Sequence, residues 1–152
     1  MLHTLQTTQL IKSDLNTVWE FISSPKNLSA ITPEYMQFEV LSDPGDSGMY
    51  PGQIIEYFVR PVLGIKLHWV TEITHIQEKK YFVDEQRFGP YTFWHHKHML
   101  KELNDGILMN DLVHYQLPFG LLGKLGNALL VKKQLKQVFD YRYQVVEQLF
   151  NT

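Results

Sequence analysis

The run Phe93-Trp94-His95-His96-Lys97-His98-Met99-Leu100 holds three of the seven histidines of this chain. Imidazole exchanges protons near neutral pH and is the commonest metal ligand, so chemistry would concentrate here. The run is aromatic and apolar and reads as a β-strand, along which side chains alternate between faces. Trp94, His96, His98 and Leu100 then share one face, and Phe93, His95, Lys97 and Met99 the other. A face that mixes a tryptophan with two imidazoles suits the wall of a cavity in which polar groups orient a ligand.

Two chemistries could use that face. His96 and His98, with Asp111 or Asp84 from a neighbouring strand, would make a set of two histidines and one carboxylate for a metal. Positions two apart on a strand are separated by ~7 Å, so the rings reach one ion only if their rotamers converge. The spacing therefore favours histidines that line a cavity or bond to adjacent strands, and neither a metal nor a cofactor is expected. The second chemistry is proton transfer by a His–Asp pair. Asn104-Asp105-Gly106 is a strong hairpin signal, and it would lay Asp111 near His96 or His98. A buried carboxylate needs a partner, so a pair that fixes strand register is favoured over an acid/base pair. Asp111 shares its face with Met109, Val113 and Tyr115.

Nucleophilic chemistry has little to work with. There is no cysteine and no G-x-S-x-G or phosphate-cradling glycine loop. Gly120-Leu121-Leu122-Gly123-Lys124-Leu125-Gly126 has leucines where a phosphate loop needs polar groups, and reads as a cavity lid or helix entry. Residues 43–52, with Met49 and Tyr50, form the second expected entrance loop. Arg142 lies on the apolar seam of a long helix. There it would meet a carboxylate, snorkel to the rim or hold a ligand anion bidentately, the ion pair being favoured.

The elements that position these residues can be read from period and punctuation. Strands are expected over 3–12, from Glu34 to Val40, and over 53–60, 65–77, 80–88, 92–103 and 107–116. Ser13 and Asp14 offer capping oxygens to a short helix through Val18, Trp19, Phe21 and Ile22. Pro25 opens a second short helix, through Leu28 to Ile31. Beyond Pro118, Leu121, Leu125, Ala128/Leu129, Leu135, Val138/Phe139, Arg142, Val145/Val146 and Leu149 recur at helical spacing. The expected architecture is α+β: a curved antiparallel sheet of about seven strands wrapped around a long C-terminal helix, in one domain over residues 1–152.

Composition removes several function classes. A net charge of −2 on 152 residues lacks the basic surface that nucleic acid requires. The first ten residues have neither a basic start nor an apolar run, and no segment approaches the ~20 apolar residues of a membrane span. A cytoplasmic location is expected, and a homodimer is left open. Nine Phe, eight Tyr and three Trp are enough to line a pocket for an apolar or planar ligand.

The chain resembles the helix-grip superfamily of START lipid-transfer domains, the pollen-allergen (Bet v 1-like) fold and the polyketide cyclase/dehydrase-like proteins. The resemblance rests on Asp14-x-x-x-Val18-Trp19-x-Phe21, Gly52-x-x-Ile55-x-Tyr57 and Trp69-x-Thr71-x-Ile73. Phe82-Val83-Asp84-Glu85-Gln86, Gly89-Pro90-Tyr91, Trp94-x-His96-x-His98, Asp111-x-Val113-x-Tyr115-x-Leu117-Pro118-Phe119-Gly120 and Phe139-x-Tyr141-Arg142 resemble one bacterial ligand-binding or cyclase-like subgroup. It covers nearly the whole chain and implies an internal hydrophobic cavity. The leading expectation is a module that binds or transports a hydrophobic small molecule or lipid. Tyr57, Trp69 and Trp94 would supply apolar contact, His96, His98, Asp111 and Tyr115 the orienting groups, and Arg142 a further polar contact. A cyclase, dehydratase or isomerase using a His–Asp pair is the alternative, and a regulatory interaction domain the third.

Overall fold

The computed structural model describes residues 1–42, 48–61, 64–118 and 125–152, with side chains at all of these except 125–128. Residues 43–47 of the expected entrance loop at 43–52 and 120–124 of the expected lid at 120–126 lie outside the described residues.

Strand β1 (His3–Ile11) leads into helix α1 (Leu15–Ile22), followed by β2 (Glu39–Val40), β3 (Ile54–Val59), β4 (Leu67–Gln77), β5 (Tyr81–Phe88), β6 (Phe93–Leu103), β7 (Gly106–Gln116) and helix α2 (Leu125–Phe150). The seven strands form one antiparallel sheet in the order β1-β7-β6-β5-β4-β3-β2. The expected α+β architecture is the one observed.

Local chemistry explains the boundaries. Asp14 caps α1, its carboxylate accepting from Thr17 N at 3.0 Å and Thr17 Oγ1 at 2.6 Å. Val18 and Trp19 then turn inward. The second expected helix shrinks to a single 3₁₀ turn at Pro25–Asn27. The strand expected from Glu34 also begins late. Pro33 opens another 3₁₀ turn, Glu34–Met36, which Gln37 ends in the left-handed region at φ 44°. The Met36 carbonyl accepts from Arg60 N at 2.7 Å. An apolar alternation of Met36, Phe38 and Val40 is thus shared between a turn and a two-residue strand, because the period reports burial and not backbone shape.

The Asn104–Asp105 turn sets the register that matters most, pairing Leu103 with Gly106 and, further up, His98 with Asp111. Gly106 cannot carry a side chain, since a Cβ there would lie 2.3 Å from the Ile11 carbonyl oxygen. β7 alternates strictly, with Met109, Asp111, Val113 and Tyr115 buried. Helix α2 lays Leu135, Phe139 and Val146 into the core. Its seam ends on Phe150, which meets Phe21 edge-on at 5.3 Å. Leu129 and Leu149, which the spacing also placed on the seam, are exposed. Beyond α2, Asn151 clamps the end of β1, its amide donating to the Leu10 carbonyl at 2.8 Å and its oxygen accepting from Lys12 N at 2.7 Å. Among the described residues no helix is long and apolar enough to cross a membrane.

Candidate functional site

Between the sheet and α2 lies a cavity of about 580 Å³, within the range of small-molecule sites. Its walls come from every layer: Phe21 and Ile22 of α1, Ile55 and Tyr57 of β3, Trp69 and Ile73 of β4, and Leu135 and Phe139 of α2.

One wall is aromatic. Tyr57 stacks on Trp69 at 5.8 Å and 19°, and Trp69 meets Trp94 edge-on at 5.3 Å. Tyr91 closes the group, 5.5 Å from Trp69 and 4.9 Å from Trp94. No strand positions Tyr91. The Gln86 side chain grips its backbone, donating to Tyr91 O at 2.6 Å and accepting from Tyr91 N at 3.2 Å. Tyr57 is bonded to Thr71 Oγ1 at 3.2 Å. Burial pushes both the Tyr57 and the Tyr91 phenol well above their ordinary value, so both stay neutral.

The other wall is ionisable, and the register builds it. Asp84 on β5 stands opposite His96 on β6, and Asp111 on β7 opposite His98. Each histidine nevertheless reaches both carboxylates. His96 Nε2 lies 3.0 Å from Asp111 Oδ1 and His98 Nε2 2.8 Å from Asp84 Oδ2. Their other nitrogens close the ring, His98 Nδ1 at 2.9 Å from Asp111 Oδ1 and His96 Nδ1 at 3.3 Å from Asp84 Oδ2. The imidazole centroids are 3.7 Å apart. Phe82 stacks on His98 at 4.1 Å and Phe139 meets His96 edge-on. Trp94 Nε1 donates to Asp84 Oδ1 at 3.2 Å. All four members line the cavity.

Electrostatics follow from this geometry. Burial raises the Asp111 pKa, but its bonds to His96 and His98 outweigh that and hold it well below the ordinary carboxylate value. Asp84 is lowered in the same way, against burial, by the charge of His96 and its bond to His98. For His98 the bonds to Asp111 and Asp84 overcome burial and raise its pKa, whereas burial and the adjacent His98 lower that of His96. The arrangement can therefore hold and relay a proton, or present ligand atoms to a cation. Asp84, His96 and His98 each offer such an atom, all within 4.8 Å of one another.

The structure brings Tyr57, Trp69, Trp94, His96, His98, Asp111 and Arg142 together around one cavity. Tyr115 is buried but is not among the lining residues; its ring stacks on His3 at 5.2 Å and meets Tyr91 edge-on. The ion pair expected of Arg142 does not form, since no carboxylate of the described residues lies within reach. Its guanidinium sits 4.9 Å over the Phe139 ring, and its Nε is buried without a partner. Trp69 Nε1 and Gln134 Oε1 are likewise buried and unpartnered on the cavity wall. Sequence reasoning offered Asp84 only as one alternative and missed Tyr91, Gln134 and the stacking role of Phe82. For Asp84 the signal was its even spacing from Phe82 on a strand.

No family model and no curated protein matches the chain. Solved structures do. The Zhui aromatase/cyclase from Streptomyces sp. R1128 superposes with a TM-score of 0.74 at 14% identity, over 96% of this chain and 92% of that one. The di-domain aromatase/cyclase BexL, from the BE-7585A biosynthetic pathway, gives 0.72 at 15% identity, over 97% of this chain and 49% of its own. Ara h 8.0201 gives 0.62 at 14% identity, over 97% and 99%. At such identities the likeness is one of architecture, and the chain has the Bet v 1-like helix-grip fold.

Proposed function

We propose that this protein binds a hydrophobic small molecule or lipid carrying oxygen functions in the cavity between its sheet and α2. The observation that carries this reading is a largely apolar space of about 580 Å³ lined by the aromatic group Tyr57, Trp69, Tyr91 and Trp94 and by the polar ring of Asp84, His96, His98 and Asp111. The polar ring gives the oxygen functions of such a ligand hydrogen-bonding partners on an otherwise apolar wall. Burial of the apolar part would supply most of the affinity, at ~25 cal/mol per Å² before ordering costs. Native mass spectrometry of the purified protein tests the idea directly. A captured apolar molecule is expected, with Trp fluorescence quenched on readdition. Protein that carries nothing and whose Trp69 and Trp94 emission is unmoved by lipids, quinones and aromatic polyketides would sink it.

A second reading is favoured by the ionisable wall. Neighbours of the same fold include aromatase/cyclases, and a ring of two imidazoles and two carboxylates facing an aromatic cavity suits proton transfer to or from a bound carbonyl compound. Turnover of a cyclisable ketone that disappears in His98→Gln while binding persists is the expected mark of this chemistry. Undiminished turnover in that variant removes it.

A further inference from the structure

We propose that Asp84 Oδ2, His96 Nδ1 and His98 Nε2 form a three-point site for a first-row divalent cation, with Asp111 orienting both imidazoles from behind. The ~7 Å spacing of alternate strand residues gives no reason to expect this; the folded rings do. They lie 3.7 Å apart between centroids, so both present a nitrogen to the same carboxylate oxygen, at 3.3 Å from His96 and 2.8 Å from His98. Ligand bonds of about 2.0–2.2 Å put neighbouring ligand atoms about 3.0–3.5 Å apart, so small adjustments admit an ion.

The bonds behind the three ligand atoms point the same way. A ligating histidine donates its other N–H to a carboxylate or carbonyl, which fixes the ring. Here Asp111 Oδ1 lies 3.0 Å from His96 Nε2 and 2.9 Å from His98 Nδ1, the nitrogens that face away from Asp84. The free oxygen of Asp84 is held by Trp94 Nε1 at 3.2 Å. Charge and hydrogen counts then close together. Two buried carboxylates face two imidazoles, so even with one imidazole charged the ring keeps a net negative charge, and no lysine or arginine of the described residues pairs with either carboxylate. A dication would supply the balancing charge, displace the proton that His98 Nε2 shares with Asp84, take the lone pairs of His98 Nε2 and His96 Nδ1 as ligands, and leave each remaining N–H on Asp111.

Three protein ligands leave coordination positions open, as in sites that act on a substrate. Since all three ligands line the cavity, those positions face whatever occupies it. Two imidazoles and one carboxylate suit zinc, iron(II), cobalt(II) and their neighbours over calcium or magnesium. The site stands on the cluster alone and does not depend on the ligand proposed above.

Chelator-treated full-length protein, titrated with Co²⁺ in the absence of any organic ligand, tests it. One equivalent is expected to bind with visible d–d absorption and to be displaced by Zn²⁺. The ring-proton resonances of His96 and His98 should move further than those of exposed His75. Asp84→Asn and His98→Gln are expected to abolish uptake, and His95→Gln, on the opposite face of the strand, to retain it. Failure of the wild-type chain to take up one equivalent overturns the proposal. So do resonance shifts centred on His75, or uptake that survives in folded Asp84→Asn.

Discussion

The two faces of β6 carry the same chemical pairing in different solvents. Outward, His95 Nδ1 meets Glu85 Oε1 at 2.8 Å, with side chains 32% and 25% exposed. Inward, His96 Nε2 meets Asp111 Oδ1 at 3.0 Å, with side chains 5% and 3% exposed. Distance hardly separates them. Water does: exposed ion pairs are screened and contribute about 0–1 kcal/mol, whereas removing one partner of a buried pair costs about 3–5 kcal/mol. The outer carboxylate also has a second counter-ion, Arg87 Nη1 at 3.2 Å. Among the described residues the inner carboxylates have only the histidines as counter-ions. A histidine-rich strand thus has one face that decorates the surface and one that governs the interior.

The sharpest way to break this contrast is Asp111→Asn. We expect a loss of about 3–5 kcal/mol in urea denaturation, larger than any loss in ligand affinity. A loss under about 1 kcal/mol would make the inner ring no different from the outer pair. Acid should separate the faces next. Asp84 and Asp111 are both held below the ordinary carboxylate value. Between their folded and unfolded pKa values the unfolded chain binds more protons, so their stabilisation is complete above about pH 5 and drains away as pH falls below it. The urea midpoint should fall along that limb, less steeply in Asp111→Asn and unchanged in slope in Glu85→Gln. Tyr57→Phe removes one buried bond to Thr71 and should cost about 1 kcal/mol, with the aromatic wall otherwise intact by near-UV circular dichroism. Smallest of all, Glu85→Gln should cost under about 1 kcal/mol, and added salt should shrink the difference further.

Most of the sheet was legible because its strands alternate cleanly and a two-residue turn fixes the pairing of β6 with β7. That hairpin placed Asp111 near His96 or His98 from spacing alone, and the observed register sets it opposite His98. Asp84 was harder, since the β5–β6 pairing stops at Glu85 and His95, and the longer connection between them, unlike a two-residue turn, does not announce its register in the sequence. The closeness of the two rings was not legible at all. It depends on Phe82 stacking against one imidazole and Phe139 against the other, contacts made between different elements. Tyr115 shows the converse limit: alternation put it correctly on the inner face, but it cannot say how far along that face a cavity extends. Arg142 was read as paired because a charge on an apolar seam usually is; Phe139, the ring beneath it, stands one turn earlier on the same helix, and only the tertiary packing shows that no carboxylate of the described residues comes close enough to pair with it.

The pairing of β1 with β7 has a consequence for synthesis. Strand β1 leaves the ribosome well before β7, its partner some hundred residues later, and can dock only when that partner has been made; Asn151 locks it in place only after α2 is complete. Until then Val18 and Trp19 have only part of their core, the side of it that Ile55, Ile73 and Phe82 supply. Contacts of such long sequence separation slow folding and leave sticky intermediates exposed. The nascent chain should therefore fold late and all at once, and depend on holdase chaperones more heavily than a helical protein of the same length.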